Sequence, residues 1–271
     1  MRNHNGDTSI PQEFYLWDTV AESARKSLDI RYRLLDYIYT ALHKQTVDGT
    51  PLLSPVFFQY PNDANTFAID LQFFCGDSIL VSPVTEENAT SVTAYVPNAR
   101  FYDFYTYATV EGAGANITLN DVAFTQIPLH IKGGSIIPMR NASGYTTTEV
   151  RKQPFSLIVA PDRNGNASGG LYLDDGDSIE QAATSEIEFS YSNGVLEITG
   201  SFGYQDDSTH VVSITVLDSS ATGTPSYRKG HQSHAGRGGW KQCSDYQHDI
   251  SSGVTTMAVE VALDGVLTVR L

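Results

Sequence analysis

The hydrophobic pattern of this chain changes period once, near Pro83, and that change limits the fold more than any other feature. Before it, Val20, Ala24, Leu28, Leu35, Ile38 and Leu42 recur at three-, four- or seven-residue spacing. Such a stripe is the apolar face of a helix, predicted as one element over 18–46. Thr19 followed by Glu22 has capping-box form. "VDGTP" at 47–51 stops the helix with Gly49 and Pro51. "PLLSPVFFQYP" (51–61) and "SILVSPV" (78–84) are short apolar runs, suited to strands buried on both faces as in a parallel sheet. "NDANTFAIDLQFFCGD" between them holds a short helix. Residues 1–84 therefore read as loop, helix, strand, helix, strand, an α/β signature.

Beyond Pro83 the alternation shortens to period two: "SVTAYVP", "RFYDFYTY", "ANITLN" and "FTQIPLHIKGGSIIPM", with turn residues at close intervals. This is all-β patterning of the kind that builds sandwiches. "NASGYTTTEVRKQP" (141–154) reads as a linker or an edge, and a second β region follows it. There Asn193-Gly194 sits between alternating runs, the strongest hairpin signal in the chain.

At 271 residues the chain is long for one small domain and comfortable for two. Its 31 acidic against 17 basic side chains give a net charge of −14, which argues against nucleic acid or an anionic membrane as partner. No apolar run reaches the roughly 18 residues of a membrane-spanning helix. The first residues lack the charged and apolar regions of a secretory signal peptide. Yet Asn88, Asn116, Asn141 and Asn166 each open an N-x-S/T sequon in a stretch that reads as a turn. The expectation is a secreted, extracellular glycoprotein from which an N-terminal part is absent. Cys75, inside an apolar run, reads as a small buried hydrophobe; whether it pairs with Cys243 the sequence leaves open.

Few residues offer chemistry. "GAGAN" (112–116) lies between β runs and opens no helix, so a phosphate loop fails its context. No G-x-S-x-G nucleophile elbow and no metal-ligand spacing occur. Asp174-Asp175-Gly176-Asp177 lacks the spaced ligands of a calcium loop and reads as a tight turn. The stretch 225–242 holds Arg228, Lys229, Arg237 and Lys241 with no acid, open to reading as an anion-binding loop or as a surface insertion. The remaining cluster is "MRNHN" at 1–5, whose Arg2 and His4 offer directed hydrogen-bonding groups of the kind sugar hydroxyls need.

"RNHNGDTSIPQEFYLW", "AESARKSLDIRYRLLDYIYTAL", "GTPLLSPVFFQYPND", "FFCGDSILVSPV", "IPLHIKGGSIIPM" and "LYLDDGDSIE" closely resemble the C-terminal third of glycoside hydrolase family 31 α-glucosidases, especially fungal ones. The resemblance runs almost continuously to about residue 217 and departs at Cys75, where a larger apolar residue is expected. It implies an α/β remnant, the last part of a (β/α)8 barrel, at 1–79, followed by two all-β sandwiches: a proximal one at 80–150 and a distal one at 155–271, with an atypical basic insertion at 225–242. It implies that His4 hydrogen-bonds the sugar at the cleavage site and that Arg2 supports the same loop, at the C-terminal end of a barrel strand.

The family's retaining mechanism uses an aspartate nucleophile and an aspartate acid/base, with carboxyls about 5–5.5 Å apart. Asp7, Glu13, Asp18, Glu22, Asp29, Asp36, Asp48, Asp63, Asp70 and Asp77 fall in no matching motif, so both catalytic carboxylates are expected upstream. No metal or organic cofactor is implied. The parent enzyme would cleave terminal α-glucosidic bonds of maltose-like oligosaccharides or starch, with the N-terminal catalytic part as this chain's partner. The alternative is a stand-alone carbohydrate-binding or scaffold β-sandwich protein, with Tyr102 and Tyr105 as stacking faces.

Overall fold

The computed structural model describes residues 6–219, 223–230 and 239–270. A short 3-10 segment, Phe14–Leu16, leads into helices α1 (Asp18–Arg33) and α2 (Leu35–Asp48), then β1 (Leu53–Pro55) and the one-turn α3 (Val56–Gln59). Strands β2 (Phe73–Cys75), β3 (Ile79–Val81), β4 (Val92–Val96), β5 (Arg100–Asp103), β6 (Thr109–Glu111) and β7 (Ala115–Leu119) follow. Next come β8 (Leu129–Lys132), β9 (Ser135–Arg140), the short α4 (Thr147–Val150), β10 (Phe155–Ala160), β11 (Ala167–Leu173) and β12 (Ser185–Ser192). The chain continues through β13 (Val195–Phe202), β14 (His210–Val216), β15 (Ser226–Lys229) and β16 (Lys241–Gln242). It closes with β17 (Tyr246–Asp249), β18 (Val254–Ala262) and β19 (Leu267–Arg270). No helix among the described residues is long and apolar enough to cross a membrane.

The helix expected over 18–46 is two helices, because Leu34 leaves the helical region at φ −87°, ψ 8°. No glycine or proline occurs in 18–46 to mark the break. Leu34 is buried at 5% exposure against Tyr37, Ile79, Tyr102 and Ile131, so tertiary packing places it there. The capping box does not form either. Helix α1 begins at Asp18 after Trp17, without a side-chain cap, and Glu22 instead pairs with Lys26 at 2.6 Å. Asp18 in the first turn complements the helix dipole. The C-terminal stop is as expected: Gly49 takes φ +81° and its N–H closes on Gln45 O at 3.0 Å.

The run 51–61 is not a long parallel strand. Only Leu53–Pro55 extends, paired antiparallel with β2, and Val56–Gln59 then coils. Pro55 has no N–H to continue a ladder, and β1 is accordingly the edge of its sheet. The expected strand 78–84 shortens to β3, also in antiparallel pairing.

Three sheets result. A six-stranded antiparallel sheet has the order β1-β2-β3-β8-β5-β6, and β4 with β7 forms a separate ribbon. Val56, Phe74, Leu80, Val96 and Phe101 form the core between them. The largest sheet runs β16-β15-β19-β13-β12-β11-β9-β10-β14-β18-β17. Its two halves meet at a single parallel pair, Ser168 with Ser135, and close on one core. Phe155, Leu157, Phe189, Leu196, Ile214 and Met257 lie inside it, each 2% exposed or less. Burying each such side chain contributes about 1.5–3 kcal/mol. Along β12 the alternation is complete, with Ile187, Phe189 and Tyr191 inward and Glu186, Glu188 and Ser190 outward. The hairpin at Asn193-Gly194 forms with φ +50° and +73°, a type I′ pattern that joins β12 to β13.

Strand pairing runs across both expected domain boundaries. The six-stranded sheet joins β1 and β2, before residue 79, to β5, β6 and β8. The large sheet takes β9, before residue 150, as the partner of β10. Period-two patterning marks where strands exist, but their partners are chosen by edge satisfaction and burial.

Candidate functional site

Arg2 and His4, the sequence-predicted sugar-binding residues, lie outside the described residues. The loop that follows them is described from Gly6. It turns at Ser9 N–H to Gly6 O (3.0 Å), then tightens at Leu16 N–H to Glu13 O (3.1 Å) before entering α1. The described part of the loop thus runs directly into α1 and α2, and the ties of those helices to the sheets can be followed residue by residue.

Arg140, on β9, carries most of that task. Its Nε donates to Asp36 Oδ2 at 2.7 Å and its Nη2 to Asp36 Oδ1 at 2.8 Å, a two-point match of guanidinium to carboxylate. Nη1 donates to Gln153 O (2.6 Å) and Ser208 Oγ (3.2 Å), and the guanidinium lies 3.9 Å over the Phe155 ring. Arg33 Nε in turn donates to Arg140 O at 3.2 Å. The pair is buried, with side chains 3% and 9% exposed. Four of the five N–H donors are used, which offsets a desolvation cost that an ion pair in this position otherwise fails to recover.

A second cluster holds α2 against β11. Tyr39 hydroxyl donates to Asp174 Oδ2 at 2.8 Å, and Tyr172 N–H donates to Thr40 Oγ1 at 2.9 Å. The His43 ring stacks on Tyr172 with centroids 3.6 Å apart and planes 5° from parallel. Burial, then the Asp174 carboxylate, pushes the Tyr39 hydroxyl up to about 12. A third tie runs to the six-stranded sheet. Tyr37 hydroxyl donates to Cys75 O at 2.8 Å and accepts from Ser78 N–H at 3.1 Å. Burial drives its pKa far above the ordinary tyrosine value.

The carboxylates of the helical region serve structure. Asp36 holds Arg140, Asp29 sits 4.0 Å from Arg33, and Asp48 Oδ1 caps Thr50 N–H at 2.8 Å. Asp63 caps Asn65 N–H and accepts from the Tyr95 hydroxyl. A general acid needs a raised pKa. Asp48 and Asp63 move down instead, Asp48 through its bonds from Thr50 and Asp63 chiefly through the Tyr95 hydroxyl. The Asp174–Asp177 segment is the expected turn. Gly176 takes φ +74°, Asp174 Oδ1 accepts from Gly176 N–H, and Asp175 Oδ1 accepts from Asp177 and Ser178 N–H. Among the described residues no group of His, Cys, Asp and Glu is arranged to hold a metal ion.

The other sequence candidates resolve individually. Asn88, Asn116, Asn141 and Asn166 are all exposed. Asn116 lies within β7 rather than in a turn, opposite Tyr95. Cys75 and Cys243 are both free thiols. Tyr102 is fully buried with its hydroxyl on Pro161 O at 2.8 Å, so it is core and offers no stacking face. Tyr105 is 38% exposed and bonds Ile127 O at 2.7 Å. Part of the basic stretch joins the large sheet, with β15 paired to β19 and β16 paired to β15. The Asp36–Arg140 clamp was not visible in sequence, because its members stand 104 residues apart and share no motif.

Helices held on sheet faces by such ties, followed by an extended, mostly antiparallel sheet folded on one core, define a β-rich α+β class. Family comparison makes this specific. Residues 1–41 match the glycosyl hydrolases family 31 TIM-barrel domain, and residues 49–137 match the glycosyl hydrolase family 31 C-terminal domain. The chain belongs to glycoside hydrolase family 31 and corresponds to the C-terminal portion of fungal relatives.

Similar curated proteins include the "Probable alpha/beta-glucosidase agdC" of Neosartorya fischeri, 59% identical over 83% of this chain and 25% of that protein. The "Probable alpha/beta-glucosidase" of Arthroderma benhamiae is 59% identical over 76% of this chain and 24% of its own length. Glucoamylase 1 of Candida albicans is 42% identical over 80% and 23%. The chain thus spans about a quarter of the curated relatives it matches. Among solved structures, glucosidase II alpha subunit shares the fold at TM-score 0.83 and 24% identity, over 98% of this chain and 30% of that one. Fold likeness therefore reaches beyond residue 217, where the sequence resemblance fades.

Proposed function

We propose that this chain is the bracing C-terminal part of a retaining α-glucosidase that hydrolyses terminal α-glucosidic bonds of maltose-like oligosaccharides or starch. The observation that carries this reading is the Asp36–Arg140 clamp: it locks the helices that follow the RNH loop onto the sandwich. The segment that matches the barrel model, residues 1–41, is then the end of the catalytic barrel, and His4 and Arg2 contribute to substrate binding at its rim. The nucleophile and acid/base belong to the preceding part of the barrel, so this chain alone does not hydrolyse.

Its partner is that N-terminal catalytic part. Edge strand β1 and the exposed Leu53, Phe58, Phe67 and Leu71 are the surfaces that partner would cover. The four exposed sequons support an extracellular, glycosylated parent. The −14 charge supports neither nucleic acid nor an anionic membrane as a partner.

The test is an assay of the purified chain on 4-nitrophenyl α-glucoside and maltose, alone and coexpressed with the upstream part of the parent. The expected result is no turnover alone and turnover on coexpression, reduced at least tenfold by His4→Ala. Turnover by the chain alone would overturn the reading.

A further inference from the structure

The outer face of the sandwich holds a second feature that the bracing role leaves unused. Across β12, β13, β19 and β15 one row of outward residues runs Ser190, Glu197, Thr268, Arg228, and the next runs Ser192, Val195, Arg270, Ser226. All of these but Ser226 line a shallow trough of about 370 Å³. At one end Trp240, just before β16, takes both arginines onto its ring: Arg270 at 4.1 Å and Arg228 at 5.1 Å from the centroid. Among the described residues neither guanidinium lies within ion-pair distance of a carboxylate. Arg33, Arg100, Arg140 and Arg163 do, Arg25, Arg31 and Arg151 do not, and neighbouring Lys229 pairs with Asp264.

Stacking uses the face of a guanidinium and leaves its N–H donors free in the plane. Two such groups, diagonal neighbours on one sheet face and both close to one indole, bring two cations together where a carboxylate can bind. The rest of the trough suits hydroxyls: Ser190, Ser192 and Thr268 donate or accept, and Glu197 accepts. Glu197 and the net charge of −14 also oppose a densely charged polyanion. We infer that this face binds a polysaccharide bearing single carboxylates on its sugars, a uronic-acid glycan, with each carboxylate on Arg228 and Arg270 and the sugar hydroxyls along the serine–threonine rows.

This inference does not rest on the glucosidase reading and is tested apart from it. The chain contains two tryptophans, so Trp17→Phe leaves Trp240 as the reporter. The full W17F chain is titrated with oligogalacturonate, maltoheptaose and heparin while indole emission is followed. Saturable change is expected with oligogalacturonate only, weakened about tenfold or more by Arg228→Gln or Arg270→Gln and unaltered by Arg31→Gln on α1. The affinity should fall with salt, with a slope reflecting two charges. Circular dichroism melts confirm that each variant is folded. Equal response to maltoheptaose, stronger binding of heparin, or binding indifferent to both glutamine variants would overturn the inference.

Discussion

Arg140 is buried at 2% exposure with four of its five N–H donors engaged, so its worth depends on what is left behind when a partner goes. Asp36→Ala strands a guanidinium in the core and should destabilise the chain by about 3–5 kcal/mol. The double replacement Asp36→Leu with Arg140→Met removes both charges and should recover most of that loss. Urea unfolding of the two variants decides it; equal destabilisation would mean that shape, not charge burial, dominates the site. His130 is a different case, buried at 3% between β3 and β5 with Nδ1 lacking a partner. Burial lowers its pKa below 6.5, partly opposed by Asp103 opposite it. As pH falls through 6.5 the unfolded chain takes up a proton that the folded chain resists, so stability drops on acidification. The decline begins as pH falls through about 6.5, ahead of the carboxylate range in which Asp48 and Asp63 protonate. Urea midpoints at pH 7.5, 6.0 and 5.0 should fall for the native chain and stay flatter for His130→Leu. Parallel slopes in both would rule His130 out as the source.

At the scale of elements, sequence patterning found what local chemistry decides. The Asn193-Gly194 hairpin and the Gly49 stop depend on positive φ that these residue types tolerate, and both form. The break at Leu34 and the pairing of β1 depend on contacts with residues distant in sequence, and neither has a local signature. The candidate site divides the same way. Arg2 and His4 are sequence expectations that lie outside the described residues, whereas Asp36 and Arg140 meet only once α2 and β9 are packed. Gly169 and Gly170 of β11 show how finely such packing is set. A Cβ at Gly169 would stand 2.1 Å from Ile136 O, where the two halves of the large sheet meet; one at Gly170 would stand 3.6 Å from Ile187 O. Gly169→Ala must push backbone apart and should cost about 2 kcal/mol or more. Gly170→Ala should stay within about 1 kcal/mol of the parent. Thermal unfolding of the pair gives the contrast directly, and similar melting temperatures would show that the β9–β11 junction yields.

For the whole molecule the question is what an edge strand and an apolar face do in water. Leu53 and Leu71 are 59% and 56% exposed, and Phe57 meets both Phe58 and Phe67 edge-on, so rings cluster beside β1. A bare edge with apolar neighbours is free to pair with another chain. Opposing this is a charge of −14, which repels copies at long range and is screened by salt. The two effects predict a sign: self-association of the purified chain should grow as sodium chloride is raised, the reverse of association through ion pairs. Sedimentation velocity at tens of micromolar protein, from low to 0.5 M salt, reads this out. Leu53→Lys with Leu71→Lys should keep the chain monomeric throughout, because charges on an edge block strand addition, while each exposed replacement shifts stability by no more than about 0.5 kcal/mol. A chain that stays monomeric at high salt, or a double variant that associates as strongly as the parent, would show that this face does not drive association.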